Sequence, residues 1–181
     1  VLTVHPRIAR HAEAELLHRF GTSDIHTHAL KRINFDALLL KELKEQANNA
    51  GVDWGVVLQA DAADRNSRHW INLQRLVQRT LPALRTSLIN SSTPVLLVSA
   101  GLLARYELMG LITELEETIG RPNHTHSLWL LLPTSHQGLP VIDGVAVPMV
   151  NNINNTRALA LPQVWIENKH RAKNAAGRAT K

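Results

Sequence analysis

Pro94-Val95-Leu96-Leu97-Val98-Ser99, followed by Leu103 to Ile119 and then Leu128-Trp129-Leu130-Leu131-Leu132-Pro133, is the stretch that decides the fold. The outer pieces are nearly continuous apolar runs of strand length, as in strands covered on both faces. The middle piece sets Leu108, Leu111, Ile112, Leu115 and Ile119 at helical spacing and closes on Gly120. Strand, helix and strand at this spacing make a βαβ unit, for which a right-handed parallel crossover is the rule.

Working back towards the N-terminus, Ser67 is placed to cap a long helix reaching about Leu88, with Trp70, Leu73, Val77, Leu84 and Leu88 inward. Pro82 lies inside that helix and predicts a kink or break. Asp61 to Asn66 reads as a loop. Val52 to Ala60 is ambiguous between a strand and a buried helical turn. Asn34 caps a helix that carries Leu39, Leu43 and Ala47 on one face and stops at Gly51. Thr22 to Leu30 is a strand or a loop. Arg7 to Phe20 is a helix with Ile8, Ala12, Leu16 and Phe20 on one side, ended by Gly21, and Val1 to Val4 is a short strand halted by His5-Pro6.

Towards the C-terminus, Asp143-Gly144 is a turn leading into a strand, Val145-Ala146-Val147. An Asn-rich loop spans Asn151 to Asn155, and Val164-Trp165-Ile166 forms a short helix or extended piece. No internal repeat is visible. The architecture expected is a three-layer α/β domain with a small, mostly parallel sheet, over residues 1–168, with residues 169–181 a basic tail or linker. The chain begins at Val1, directly in a strand, and reads as a domain of a longer polypeptide.

Composition narrows the function classes. At 181 residues and 44% hydrophobic content, the chain can bury a core without staples. Aromatics make up only 4%, so the core must rest on Leu, Val, Ile and Ala. With no cysteine, disulfides, thiolate zinc sites and a Cys nucleophile are excluded together, and a cytoplasmic setting fits. No apolar run approaches the ~20 residues that span a bilayer, and Val1 to Pro6 lacks the features of a signal peptide. The sequons at Asn90, Asn123 and Asn154 therefore read as chance. A formal net charge of +5 permits an anionic partner without demanding one.

Several short patterns bear on chemistry. In Asp24-Ile25-His26-Thr27-His28, His26 and His28 would share one face of a strand and can reach one metal ion. The string is similar to the HxH motif of amidohydrolase and PHP hydrolases, but the further ligands those barrels need are missing, and a polar edge strand or loop is the plainer reading. His124 and His126 repeat the spacing, with nothing in the sequence to bring the two segments together. Ser99-Ala100-Gly101 stands where phosphates often bind, between a strand and a helix, yet lacks dinucleotide and P-loop patterns. Arg68, Arg75 and Arg79 gather on one helical face and, with Lys169 and Arg171 of the tail, form a candidate nucleic-acid surface. The same stripe also suits an ordinary solvated face, and Glu107, Glu114, Glu116 and Glu117 make the next helix acidic. The four tryptophans read as core or interface anchors.

One resemblance covers most of the chain. It rests on Val52-Asp53-Trp54 with Ala60-Asp61-Ala62, Trp70 to Val77, Pro94 to Leu97, Gly101 to Tyr106, Leu128 to Pro133, Ile142 to Pro148 and Trp165 to Arg171. Together these resemble the C-terminal region of large serine/threonine kinase proteins, or companion ATPases, of Pgl/BREX-type phage-resistance systems. The resemblance implies a cytoplasmic bacterial protein whose partners are other protein subunits of a defence system; DNA is a second candidate on the basic stripe and tail alone. The resemblance carries no kinase motif and no active-site residues onto this chain.

The expectation is therefore a non-catalytic interaction or regulatory module with no cofactor. Its partner surface is expected at Arg105, Tyr106, Asp143 and Gly144, because loops at strand ends often recognise ligands in open α/β folds.

Overall fold

The computed structural model describes residues 1–21, 29–91, 93–119, 127–134, 140–148 and 158–167. Its centre is a five-stranded sheet of β1 (Leu2–Val4), β2 (Lys31–Asn34), β3 (Val95–Val98), β4 (Leu128–Pro133) and β7 (Leu159–Ala160). The spatial order is β2-β3-β4-β1-β7, and every pairing is parallel. The quoted βαβ unit is present, with β3 beside β4 and Leu96 opposite Trp129. Two further strands, β5 (Val141–Ile142) and β6 (Val145–Ala146), pair with each other as an antiparallel hairpin.

Alternation along the strands separates two cores. Leu97, Leu130 and Leu132 enter one cluster with α2 (Phe35–Asn49), α3 (Trp54–Ala62), α4 (Arg68–Gln78), α5 (Leu81–Ile89), α6 (Gly101–Arg105) and α7 (Gly110–Thr118). Leu96, Val98 and Leu131 enter the other with α1 (Ala9–Gly21) and α8 (Gln163–Ile166). The domain is therefore the expected three-layer α/β arrangement. Arg19 pins the second layer together: its Nη2 donates to the Trp165 carbonyl at 2.7 Å, and its guanidinium lies 4.0 Å from the Trp165 ring centre.

Most of the predicted stops and starts hold for the physical reason given. The Asn34 side chain accepts from the Ala37 amide at 2.9 Å, and Ser67 accepts from Trp70 at 3.1 Å. Gly51, at φ +66, closes α2 while the amides of Gly51 and Val52 return to the carbonyls of Asn48 and Ala47. Replacing Asn34 with Ala is expected to cost about 1 kcal/mol. A shift in the urea midpoint with unchanged slope would show it, and no shift would mean that water serves the cap equally well.

The structure settles one open reading, bears out the break near Pro82, divides another predicted helix and adds two edge strands. Val52 to Ala60 resolves as helix α3, which runs on to Ala62 through part of the expected loop. The long helix from Ser67 is two helices, broken at Arg79-Thr80; Pro82 sits in the first turn of α5, where its missing amide leaves no intrahelical bond unmade. The helix over Leu103 to Ile119 is also two. The amides of Glu107 and Leu108 bond back to the carbonyls of Ala104 and Leu103, and Glu107 takes φ +59, a Schellman stop without the usual glycine. Finally, strands β2 and β7 have no signature in the sequence. They are the two edges of the sheet, one carrying two charges and the other only two residues long, so neither shows a buried-strand pattern.

Candidate functional site

Two places on the molecule gather chemically useful side chains. The first is a crevice of about 600 Å³ over the carboxyl ends of β1, β3 and β4. It lies outside the carboxyl ends of a parallel sheet, the end at which open α/β folds commonly bind ligands. One wall is α1, with Arg10 and Glu13. The other is the β5–β6 hairpin, turned through Asp143 and Gly144 at φ +46 and +81. Ser99 on the crevice floor is also left-handed, at φ +52.

Much of the charge in the crevice is spent inside the chain. Arg32 donates to Glu13 at 2.5 Å. Asp36, in the first turn of α2, accepts the Leu102 amide at 2.9 Å and so caps α6, while its own amide donates to the Ser99 carbonyl at 2.9 Å. Burial, opposed by the amides of Leu102 and Gly101 and reinforced by Asp143, raises the Asp36 carboxyl above its ordinary value. The Asp36 and Asp143 carboxylates converge on Gly101: a β-carbon there would lie 3.6 and 3.4 Å from their oxygens, which is ordinary contact. Arg10 is exposed and pairs with no carboxylate among the described residues. Neither histidine nor lysine is among the described residues lining the crevice.

The second place is a groove of about 400 Å³ between α3 and α4. Its floor is apolar, formed by Val52, Val56, Val57, Ala60, Leu73 and Leu76. Arg75, Arg79 and His69 border it, and no carboxylate is among the lining residues described. Arg68, Arg75 and Arg79 are all exposed and make no ion pair among the described residues; Arg75 Nη1 donates to Asn72 Oδ1 at 3.5 Å.

Of the residues expected to form a partner surface, Arg105 and Tyr106 stand at the far end of α6 and Asp143 and Gly144 in the hairpin turn. Arg105 binds Asp61 through two 2.8 Å bonds, and the Tyr106 hydroxyl donates to the same carboxylate at 2.9 Å. Tyr106 is only 4% exposed and stacks on Trp70 at 5.9 Å. This cluster locks α6 against α3 and α4, so the tyrosine is an internal brace. Asp143 sits instead over the start of α6, beside Gly101, while Arg105 is at its far end. His26, His28, Lys169 and Arg171 lie outside the described residues, as do His124 and His126. Among the described residues no group of three acidic or histidine side chains is placed to hold a metal ion. Arg10, Arg32 and Asp36 escape a reading of the sequence; nothing local marks them, because only the parallel sheet brings residues 10, 32, 36 and 143 to one edge.

The fold and these two surfaces define an open parallel α/β domain with a carboxyl-edge crevice and a cation-bordered apolar groove. No family model matches the chain, and no solved structure matches it. It is similar to a probable kinase, PglW, of Streptomyces coelicolor, at 28% identity over 180 residues. That match covers 94% of this chain and 11% of the relative's length, consistent with a region of a large Pgl-type protein. Among the described residues no helix is long and apolar enough to cross a membrane.

Proposed function

We propose that this chain is a non-catalytic interaction or regulatory module of a Pgl/BREX-type phage-defence protein, working in the cytoplasm beside other subunits of the system. Support for the defence setting comes from the similarity to PglW over nearly the whole chain. The observation that carries the interaction role is the α3–α4 face. There three guanidiniums stand without carboxylates among the described residues, and Val56, Leu58 and Ile71 are 50%, 54% and 44% exposed. Apolar side chains stand on the outer face of α3 as well as on its buried face, a pattern that suits a helix with protein on both sides. In the crevice, by contrast, Arg32, Glu13 and Asp36 already have partners within the chain.

The test is made in the complete defence protein that contains this segment. Arg68, Arg75 and Arg79 are changed together to Glu, and the efficiency of phage plating is measured. Restriction is expected to weaken by about tenfold or more, the effect of ~1.4 kcal/mol of lost docking, at unchanged protein level. Full restriction by the triple variant would overturn the role of this face.

Nucleic-acid binding is the second reading, favoured by the same three cations, which span about 16 Å of helix at 1.5 Å per residue. Lys169 and Arg171 would extend that footprint. Retention of the chain by labelled duplex or single-stranded DNA, falling steeply with salt, is what this reading requires; no retention at low salt would dismiss it.

A further inference from the structure

We infer that the α3–α4 groove seats an acidic amphipathic segment of a protein partner. This rests on the interaction-module reading and names its partner's chemistry. The groove has two unlike parts, and its occupant must answer both. Its floor is hydrocarbon, with Val56 half-exposed at its mouth, so the occupant must bring apolar side chains to bury. Its border carries Arg75 and Arg79 with no carboxylate among the described lining residues, so the occupant must bring negative charge.

Spacing adds a third requirement. Arg75 and Arg79 are four residues apart, one on the last turn of α4 and one at its C-cap, and so lie about 6 Å apart along the axis. Two carboxylates one helical turn apart on the partner meet that separation, with Leu, Ile or Phe recurring every third or fourth residue on the adjoining stripe to fill the floor. A nucleic-acid backbone satisfies only the border. It would cover the cations with phosphates and leave the apolar floor in water, so it is the poorer fit. The guanidiniums suit carboxylates well, because each presents a planar fork of donors.

The full 181-residue chain is the bait, and a display library of random peptides of about 16 residues, long enough for i, i+3, i+4 and i+7 anchors, is the probe. Selected peptides are expected to pair Asp or Glu at one-turn spacing with Leu, Ile or Phe. Their binding should weaken about tenfold or more in R75E/R79E, and by a similar factor in V56S, and should fall with added salt. Arg75, Arg79 and Val56 are exposed, so these variants should keep the thermal midpoint of the parent and binding loss can be separated from unfolding.

Enrichment of basic or uncharged peptides, or of acidic ones indifferent to R75E/R79E and V56S, would overturn the assignment while leaving the interaction-module reading intact. So would an empty selection accompanied by tight binding of single-stranded or duplex DNA that R75E/R79E abolishes. Self-association of the chain in light scattering, lost in R75E/R79E, would put a second copy in the groove and likewise overturn it. An empty selection with none of these overturns it too, and the plating result for the triple variant then decides the wider reading separately.

Discussion

Phe35→Ala is expected to lower the unfolding free energy by about 3–5 kcal/mol, the range for emptying a large aromatic site in a closed core. Phe35 is fully buried and opens α2 immediately behind the Asn34 cap. It belongs to the buried cluster that also holds Leu39, Leu97, Ala100 and Leu103, which lie on α2, the sheet, the crevice floor and α6. The chain has only two phenylalanines, and most of the other side chains in this cluster are aliphatic. Little nearby can swing in to fill the space. Domains of this size are stable by roughly 5–15 kcal/mol, so the variant should lose a large share of its margin. Urea unfolding followed by tryptophan fluorescence checks it; a loss under about 1 kcal/mol would show that the site collapses and that the packing is looser than described.

Asp61→Ala is expected to cost about 2 kcal/mol. The carboxylate accepts both forks of Arg105 and the Tyr106 hydroxyl, and Arg105 Nη2 also reaches the Asp61 carbonyl at 2.9 Å. Arg105 is 40% exposed, so solvent screens much of the ion pair and its charge contributes modestly. The larger part comes from Tyr106, whose buried hydroxyl would lose its acceptor. Asn at position 61 keeps an acceptor and should cost less than Ala.

The pH dependence of this cluster has a definite sign at each end. Burial would raise the Asp61 carboxyl, but the hydrogen bonds from Arg105 and Tyr106 outweigh it and hold the group below its ordinary value. A lowered carboxyl contributes stability above its unfolded pKa, about 3.9, and loses it as the pH falls through the folded value. The parent and the Ala variant should therefore converge in acid. Tyr106 is pushed up to about 12, first by burial and then by the Asp61 carboxylate. Its contribution is present below the unfolded value, about 10, and fades as the pH rises from there towards 12. Tyr106→Phe should flatten that alkaline limb. A limb unchanged in this variant would mean that another group sets it.

The readable parts of the fold are those with strong local signals. The runs at Val95–Val98 and Leu128–Pro133 lack polar breaks because both faces are covered, and that alone announces a parallel, layered sheet. Asn34, Ser67 and Gly51 mark helix ends because a cap is a contact between near neighbours. The Schellman stop at Glu107 is silent because a non-glycine in the left-handed region leaves no mark in the sequence. The internal bonds of Arg105 and Tyr106 are silent for a related reason. Asp61, the residue that consumes them, is more than forty positions away, and no local pattern reports such a pairing.

The class of fold, the helix ends marked by Asn34, Gly51 and Ser67, and the basic stripe of α4 were legible in the chain, because all are governed by interactions within a few residues. Which of these residues are enclosed and which stay exposed follows from the packing of distant segments. That packing drew Arg10, Arg32, Asp36 and Asp143 to one end of the sheet, enclosed Tyr106, and set the apolar side of α3 against Arg75 and Arg79. Those outcomes depend on strand order, because a parallel sheet brings the carboxyl ends of distant segments together whatever their separation in sequence.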